Sequence, residues 1–325
     1  MIDLFISIVM PAHNEEAVIE RSIYEISAIL KGINVSRFEI IVVDDGSRDS
    51  TFSLVKGISG QSPFVKGVQL SRNFGKEAAL LAGLQAAKGQ VVITADADLQ
   101  HPPKFIPQML DKWRDGMKIV HAVKRDRTSD GLIVRWRAKA FNAVCSKLGG
   151  IDLSNSSDFK LLDRSVVDIL VRELPERERF YRGLADWVGF NQATVYFDVE
   201  ERKGGQGKWS LAALVNLAVT ATVSFSIAPL RIVTFLGATT LLFAVIVAGD
   251  ALWSSFQGTA VSGFATLAIS LLLLCSFIMI SLGIVGEYIA KIYQEVKRRP
   301  PFIIANTCGT GDGVDQKDKR SVKSS

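Results

Sequence analysis

Two long uncharged apolar runs in the C-terminal third constrain the fold of this chain more than any other feature. They extend over Ile232–Gly249 and Phe264–Gly286. Each run is about 18 residues or longer, which is the length that a helix needs to cross a hydrocarbon core about 30 Å thick. A helix this apolar on all sides needs lipid or a very large core around it. The sequence therefore predicts two membrane-spanning helices, over residues 231–252 and 263–287.

The charges around these runs predict their orientation. The loop between them, Asp250–Gly263, contains no lysine or arginine, whereas Arg231 precedes the first run and the cluster Lys297–Arg299 follows the second. Basic flanks face the cytoplasm, so two crossings leave both termini on the cytoplasmic side of a multi-pass inner-membrane protein. If the uncharged run Ser210–Ala228 also crossed the membrane, the basic cluster after the last span would lie on the outer side. The partly polar face of that run favours helices that lie in the membrane interface.

The chain accordingly divides into five parts. These are a cytoplasmic globular domain (1–208), interfacial helices (209–230), two spans (231–252 and 263–287) and a cytoplasmic tail (288–325). Residues after about Asn306 are rich in Gly, Asp, Lys and Ser and are expected to be disordered. The three cysteines have neither metal-site spacing nor the pattern of a disulfide framework.

Strands alternate with helices in the first hundred residues. Short β-branched runs predict strands, and helical spacing of apolar residues predicts helices between them. The strands are Phe5–Met10, Phe38–Val43, Val65–Leu70 and Gln90–Ala95, and the helices are Ala17–Leu30, Ser50–Ile58 and Lys76–Ala87. This order requires crossover connections, so the fold class is α/β with a mostly parallel sheet. Ligands of such sheets bind beyond the carboxyl ends of the strands, where Asn14, Asp45, Asp96 and Asp98 fall.

The segment Asp96–Gln100 directly follows the fourth predicted strand and carries carboxylates at positions i and i+2. Two such side chains on one turn can face a single cation, and hard oxygen ligands suit Mg²⁺ or Mn²⁺ bound together with substrate phosphates. A metal in that position would neutralise the charge that grows on a diphosphate leaving group. By itself the pattern is weak, because many turns contain paired acids.

Several further motifs accompany these carboxylates. Pro11–Glu16 follows the first strand, and Val43–Ser47 ends the second. With Ser71–Glu77, Asp96–Pro103, Ser157–Arg164 and Phe180–Leu184, they resemble glycosyltransferase family 2, in its polyprenyl-phosphate branch of bactoprenol glucosyltransferases and dolichol-phosphate mannosyltransferases. The resemblance extends from about Ile6 to Ile303. It implies a nucleotide-sugar-binding, GT-A-like domain, a nucleotide diphosphate-sugar and a polyprenyl phosphate as partners, and an Mg²⁺ or Mn²⁺ cofactor.

The resemblance also implies roles for individual residues. The nucleotide-sugar site would comprise Pro11, Asn14, Glu15, Asp45, Asp96, Ala97, Arg202 and Lys208, with Asp45 accepting from the base. The metal would be held by Asp96, Asp98 and Gln100. For the acceptor phosphate, the resemblance implies contacts at Lys124 and Arg127. Arg125 and Arg182 are further candidates, since guanidinium groups are well shaped for phosphate. The alternative for this basic stretch is a solvated surface or contact with anionic lipid headgroups.

Asp98 and Asp158 are the candidate catalytic residues. In the family, the aspartate at the position of Asp158 is the candidate general base. The second pKa of a phosphate monoester is near 6, however, so the acceptor is already largely dianionic at neutral pH. We therefore expect Asp158 to orient the substrates first and to act as a base second; capping of a helix that begins near Arg164 is the structural alternative.

Other functions fit these residues less well. The resemblance alone favours UDP-glucose as the donor, and GDP-mannose and UDP-N-acetylglucosamine stay open. A processive polysaccharide synthase would need more spans, and a degenerate nucleotide-sugar receptor would not need intact acidic residues. A dinucleotide-binding oxidoreductase is excluded because no Gly-x-Gly-x-x-Gly follows the first strand. No aromatic ladder accompanies the basic stretch, so a nucleic-acid partner is not expected. Homo-oligomer formation stays open.

Overall fold

The structure is a computed structural model, and it describes residues 4–33, 35, 37–98, 102–124, 157–174, 176–177, 179–197, 228–257 and 263–309. The strands are β1 (Phe5–Ala12), β2 (Arg37–Asp44), β3 (Val65–Leu70), β4 (Val91–Thr94), β5 (Ile119–Lys124), β6 (Lys160–Asp163), β7 (Gln192–Phe197) and β8 (Ile304–Cys308). The α-helices are α1 (Ile19–Gly32), α2 (Thr51–Gln61), α3 (Lys76–Ala86), α4 (Ile106–Arg114), α5 (Arg164–Asp168), α6 (Tyr181–Trp187), α7 (Ala228–Phe256) and α8 (Phe264–Val296). A 3₁₀ turn (Pro103–Phe105) precedes α4, and a π-helical turn (Ile169–Glu173) follows α5.

The eight strands form one mixed sheet in the order β7-β5-β6-β4-β1-β2-β3-β8. The central strands β4, β1, β2 and β3 are parallel to one another. The side chains of β1, β2 and β4 are buried along nearly the whole length of each strand, on both faces, which explains why these strands form nearly continuous β-branched runs. The predicted α/β class with a mostly parallel, GT-A-like sheet is confirmed.

β6 changes the direction of the sheet. It runs antiparallel to both β4 and β5, while β5 pairs with β7 in parallel. The N-terminus of β6 therefore lies beside the carboxyl end of β4, where Thr94 pairs with Lys160. This reversal brings Asp158, two residues before Lys160, to the sheet edge at which the first four parallel strands end.

The chain separates into two compact units, one containing the sheet and the other the long helices α7 and α8. The sheet unit includes the segment from Pro300 onward, after α8. α7 and α8 contact each other, and segments Val233–Ser254 and Leu273–Val296 are long and apolar enough to cross a membrane. α8 continues past the predicted span end to Val296. Of the predicted interfacial segment 209–230, residues 209–227 lie outside the described residues.

The start of the C-terminal tail contains a strand that the sequence pattern does not predict. β8 ends at Cys308, close to Asn306, after which disorder is predicted, and it pairs antiparallel with β3 at the edge of the sheet. The sulfur-bearing side chain of Cys308 packs against the hydrophobic core. A strand of five residues with a polar centre gives too weak a sequence pattern to be recognised without its partner. Residues 310–325 lie outside the described residues.

Candidate active site

The carboxyl ends of β4, β1 and β2 lie side by side, because these strands are parallel neighbours. Each strand is followed by a polar loop, so the loops that carry Asp96, Asn14 and Asp45 meet at one edge of the sheet. β1 continues through Pro11 to Ala12 before its loop begins, two residues beyond the predicted strand end. Pro11, the second-last residue of this strand, is buried. The sequence-predicted strand-end residues are thus brought together.

Asn14 joins the loops after β1 and β2. Its backbone N–H donates to Ser47 Oγ at 2.9 Å, and its side-chain Oδ1 accepts from the Arg48 N–H at 2.9 Å. Its φ of 57° is left-handed, a conformation that asparagine tolerates better than most residues. Asn14 does not cap α1, whose N-cap residue is Val18 and which has no side-chain cap. The side chain instead fixes the shape of the strand-end loops.

Asp45 is buried and holds the loop after β3. Its carboxylate accepts from the backbone N–H of Phe74 at 2.7 Å and of Gly75 at 2.9 Å. Burial raises the pKa of Asp45, although these two hydrogen bonds oppose the shift. The neighbouring Gly46 has a φ of 65°, and a Cβ there would lie 2.4 Å from the Arg72 carbonyl carbon. Each carboxylate oxygen of Asp45 keeps one lone-pair direction for a further donor.

Acidic side chains concentrate beside this loop. Burial, followed by the nearby charges of Asp98, Asp49 and Asp96, raises the pKa of Glu15. Ala97, between the two aspartates, is buried and accepts from Ser22 Oγ at 2.5 Å, which fixes the turn. Mutual repulsion of this kind is relieved by a cation, so the chemistry of the donor set fits a divalent metal. Among the described residues, no group of three or more His, Cys, Asp or Glu side chains is arranged so that it could hold a metal ion without further ligands.

Lys76, the first residue of α3, connects two of the predicted aspartates. Its Nζ lies 2.6 Å from Asp96 Oδ1 and 2.8 Å from Asp158 Oδ2. Burial would lower the pKa of Lys76, but the charges of Asp158 and Asp96 outweigh burial and raise it. Lys76 is not among the predicted site residues, because a lysine at the start of an alanine-rich helix has the pattern of a solvated charge. Its position inside the motif Ser71–Glu77 is the signal that was available.

Asp158 also binds Arg182 of α6. The guanidinium Nε lies 2.6 Å from Asp158 Oδ1 and Nη2 lies 2.8 Å from Oδ2, which is a bidentate pair. Burial alone would raise the pKa of Asp158, but Arg182 and Lys76 hold it well below its ordinary value. Asp158 is therefore an ionised carboxylate between two cations. It does not cap the following helix, since Asp163 accepts from the Ser165 N–H at the start of α5.

Glu77 and Tyr181 support this arrangement from behind. Glu77 Oε2 accepts from the Tyr181 N–H at 2.8 Å, at the first residue of the helix that carries Arg182. Burial raises the pKa of Glu77 to about 7. The Tyr181 hydroxyl lies 3.1 Å from Thr94 Oγ1, which donates to the Asp158 carbonyl at 2.5 Å. The buried Lys160 ammonium lies 4.6 Å from the Tyr181 ring centroid. Of two consecutive residues of α3, Lys76 thus contacts Asp158 and Glu77 contacts the residue before Arg182.

Other predicted site residues cannot be placed in this arrangement. Gln100, Arg125, Arg127, Arg202 and Lys208 lie outside the described residues. Lys124 is the last residue of β5, where its backbone pairs with Phe197 of β7. Of the predicted acceptor-phosphate residues, Arg182 is therefore the one whose side-chain contacts the structure describes.

Comparisons with known proteins identify the family of the chain. Residues 7–174 match the family described as glycosyl transferase family 2. The chain belongs to this family. It is a glycosyltransferase, as the resemblance of its motifs predicted. An uncharacterized glycosyltransferase of Synechocystis sp. is 40% identical, over 94% of this chain and 96% of that protein.

Two further relatives have more specific names. A prophage bactoprenol glucosyl transferase homolog of Escherichia coli is 37% identical over 92% of this chain and 98% of its own length. A bactoprenol glucosyl transferase of Shigella phage SfV is 37% identical over 93% of this chain and 98% of its own length. Among solved structures, glucosyl-3-phosphoglycerate synthase of Mycobacterium tuberculosis with Mn²⁺, uridine diphosphate and phosphoglyceric acid is 24% identical, with a TM-score of 0.46; the similarity covers 68% of this chain and 78% of that one.

Proposed function

We propose that this glycosyltransferase moves one glucosyl unit from UDP-glucose to a polyprenyl phosphate, such as undecaprenyl phosphate, at the cytoplasmic face of the membrane. The relatives named bactoprenol glucosyl transferase support a glucosyl donor and a polyprenyl acceptor, because they match this chain almost from end to end. The two long apolar helices suit an enzyme whose acceptor is a membrane lipid. The product is a single sugar linked to the lipid through phosphate.

The observation that carries the proposal is the bridge from Asp96 through Lys76 to Asp158 and Arg182. Asp96 follows β4 on the side where the donor diphosphate is expected, while Arg182 belongs to the predicted acceptor-phosphate set. Lys76 and Arg182 are each partly exposed, at 43% and 45% of the side chain. The donor diphosphate and the acceptor phosphate are both anions and must approach each other in this reaction. Fixed cations between them, such as Lys76 and Arg182, lower the electrostatic cost of that approach. A nucleotide-sugar receptor would not need the acceptor half of this arrangement.

The ionised state of Asp158 argues for a positioning role. A general base works best when its pKa is near the working pH, whereas the pKa of Asp158 lies far below it. An acceptor phosphate that is already dianionic needs no base. Its oxygen would form the new bond to the sugar C1 while the bond from C1 to the diphosphate oxygen breaks, with the electron pair leaving on UDP. Attack from the face opposite the leaving group inverts C1.

A divalent metal, Mg²⁺ or Mn²⁺, fits the acidic strand-end residues. Asp96 and Asp98 would hold it, together with Gln100 and the donor phosphates. When bound, it supplies positive charge that stabilises the leaving diphosphate. The raised pKa of Glu15, caused by burial and by the charges of its acidic neighbours, supports a cation at this place.

The position of β8 supports a location on one side of the membrane for the segments before and after the two long helices, and the basic flanks favour the cytoplasmic side. β8 follows the second long helix and pairs with β3 in the same sheet that precedes the first. A chain that leaves this unit, crosses a membrane and returns to it must cross an even number of times. Two crossings by α7 and α8 satisfy this, and three do not. An accessibility tag inserted after Gln257 is expected on the outer face, with a tag after Cys308 inside; a C-terminal tag outside contradicts this topology.

Membranes that contain the protein provide the decisive experiment. They are incubated with undecaprenyl phosphate and radiolabelled UDP-glucose, GDP-mannose or UDP-N-acetylglucosamine, and the lipids are extracted. A single acid-labile glucosyl lipid from UDP-glucose is expected. A ladder of longer products would favour a processive synthase, and transfer from another nucleotide-sugar alone would refute the donor assignment. Asp98→Asn is expected to be inactive, with Asp111→Asn on the exposed side of α4 as the charge-matched control.

A further inference from the structure

The strand β8 extends the sheet at the edge beside the strand-end loops. Gly67, Val68 and Gln69 of β3 pair with Cys308, Thr307 and Asn306, and the register shifts before Leu70 pairs with Ile304. The Ser71 N–H donates to the Ile303 carbonyl at 2.8 Å, so backbone pairing continues to the end of β3. The approach is close, since a Cβ on Gly67 would lie 2.6 Å from Cys308 Sγ. β8 is therefore a fitted part of the sheet.

A chain of side-chain hydrogen bonds leads from β8 to the loop after β2. Asn306 Nδ2 donates to Gln69 Oε1 at 2.7 Å, and Gln69 Nε2 donates to Asp44 Oδ2 at 3.1 Å. Asp44 is fully buried, and its Oδ1 accepts from the Ser47 N–H at 3.1 Å. Ser47 Oγ in turn accepts from the Asn14 N–H at 2.9 Å. The C-terminal strand thus reaches a predicted nucleotide-binding residue through four consecutive hydrogen bonds.

The end of β3 leads to the same loops by a second route. After Ser71, the chain passes over Gly46 and donates two backbone N–H groups to Asp45. Asn73 Nδ2 lies 3.1 Å from His13 Nε2, and His13 Nδ1 lies 3.0 Å from the Asp45 carbonyl oxygen. Displacement of β3 would therefore disturb both loops that the proposed donor contacts. β8 covers the one edge of β3 that β2 does not.

We propose that β8 is a positioning element for the donor nucleotide and that Asn306 is its positioning residue. By orienting the Gln69 amide, Asn306 keeps a hydrogen-bond donor on the buried Asp44 carboxylate and so holds the loop of Asp45 and Ser47 in its binding shape. A buried carboxylate such as Asp44 loses considerable free energy when a hydrogen-bond donor is withdrawn. The exposed contact between Asn306 and Gln69 can therefore have a large effect. The inference rests on the proposed nucleotide site and adds to it the segment that follows the second long helix.

The test is UDP binding to the full-length protein in detergent with Mg²⁺, measured by calorimetry for three variants. Asn306→Ala removes the donor to Gln69. Asn306→Asp is nearly isosteric but places an acceptor against Gln69 Oε1; a flipped Gln69 amide would then turn its oxygen toward Asp44. Ile303→Ala is the control, because it trims an exposed side chain on the same segment and keeps the backbone carbonyl that Ser71 uses.

We expect the dissociation constant for UDP to rise about three- to tenfold in Asn306→Ala and further in Asn306→Asp, because one hydrogen bond to a charged group is weakened. Ile303→Ala is expected to bind like the wild type. Amide exchange of the loop 45–50 should accelerate in both Asn306 variants while the thermal midpoint and the acceptor KM stay unchanged. Wild-type affinity in Asn306→Asp would overturn the positioning role. A wild-type protein that binds no UDP would instead overturn the proposed donor site and this inference with it.

Discussion

Substitution of Lys76 by methionine removes the charge that joins Asp96, on the proposed donor side, to Asp158, on the proposed acceptor side. Methionine keeps the length and the apolar stem of the side chain, so packing at the start of α3 is preserved. Two contacts are lost, at 2.6 Å to Asp96 and 2.8 Å to Asp158. The side chain is 43% exposed, so water screens part of each interaction. We therefore take the value of one hydrogen bond to a charged group, about 1.5–3 kcal/mol, for the transition state.

That free energy corresponds to a loss of roughly 10- to 150-fold in kcat/KM. The fold should be little affected, by about 1 kcal/mol or less, because Asp158 keeps its bidentate bond with Arg182. The assay is the initial rate of glucosyl-lipid formation over a matrix of donor and acceptor concentrations, with thermal unfolding measured in parallel. Lys76→Arg is the matched variant, since it keeps the charge and should recover part of the rate. A Lys76→Met enzyme with wild-type kcat/KM would refute the bridging role.

Three further predictions concern the neighbouring carboxylates. Chelation by EDTA should stop transfer by the wild type, and added Mg²⁺ or Mn²⁺ should restore it but not in Asp98→Asn; full activity in EDTA contradicts the metal assignment. Because the pKa of Asp158 is lowered in the fold, its ionised form stabilises the protein above pH about 4, and that contribution fades as pH falls through the folded pKa. The gap in unfolding free energy between wild type and Asp158→Asn should therefore shrink in acid, and a constant gap would oppose this. Glu77→Gln keeps an acceptor for the Tyr181 N–H and should retain activity, whereas Glu77→Ala should lower kcat several-fold; equal losses would deny the capping role.

The sequence predicts the strand ends well, because each combines a buried β-branched run with an abrupt polar loop. Asn14, Asp45 and Asp96 could be placed at one sheet edge from this pattern alone. Lys76 could not, because its partner Asp158 is 82 residues away and comes beside it only through the reversed strand β6. The pattern of residues likewise does not predict that Asp158 binds Arg182, although both are among the predicted site residues.

The C-terminal strand escaped prediction for a different reason. Its hydrogen bonds go to β3, more than two hundred residues earlier, and nothing local in the sequence Ile304–Cys308 requires an extended conformation. Predictions of edge strands fail in this way because long-range pairing, rather than intrinsic preference, stabilises them. The glycine at position 67, which admits Cys308, was the one hint in β3 that another chain segment approaches it.

The late position of β8 in the chain also determines the order in which the protein can be assembled during synthesis. A ribosome completes β3 long before it completes residues 304–308, and both long apolar helices are made in between. Until then the outer edge of β3 presents unpaired backbone groups, which are a template for wrong pairing. The sheet can close only after α7 and α8 have emerged. Pairing of β8 with β3, and with it the proposed support of the nucleotide site, can therefore begin only after both long helices have been synthesised.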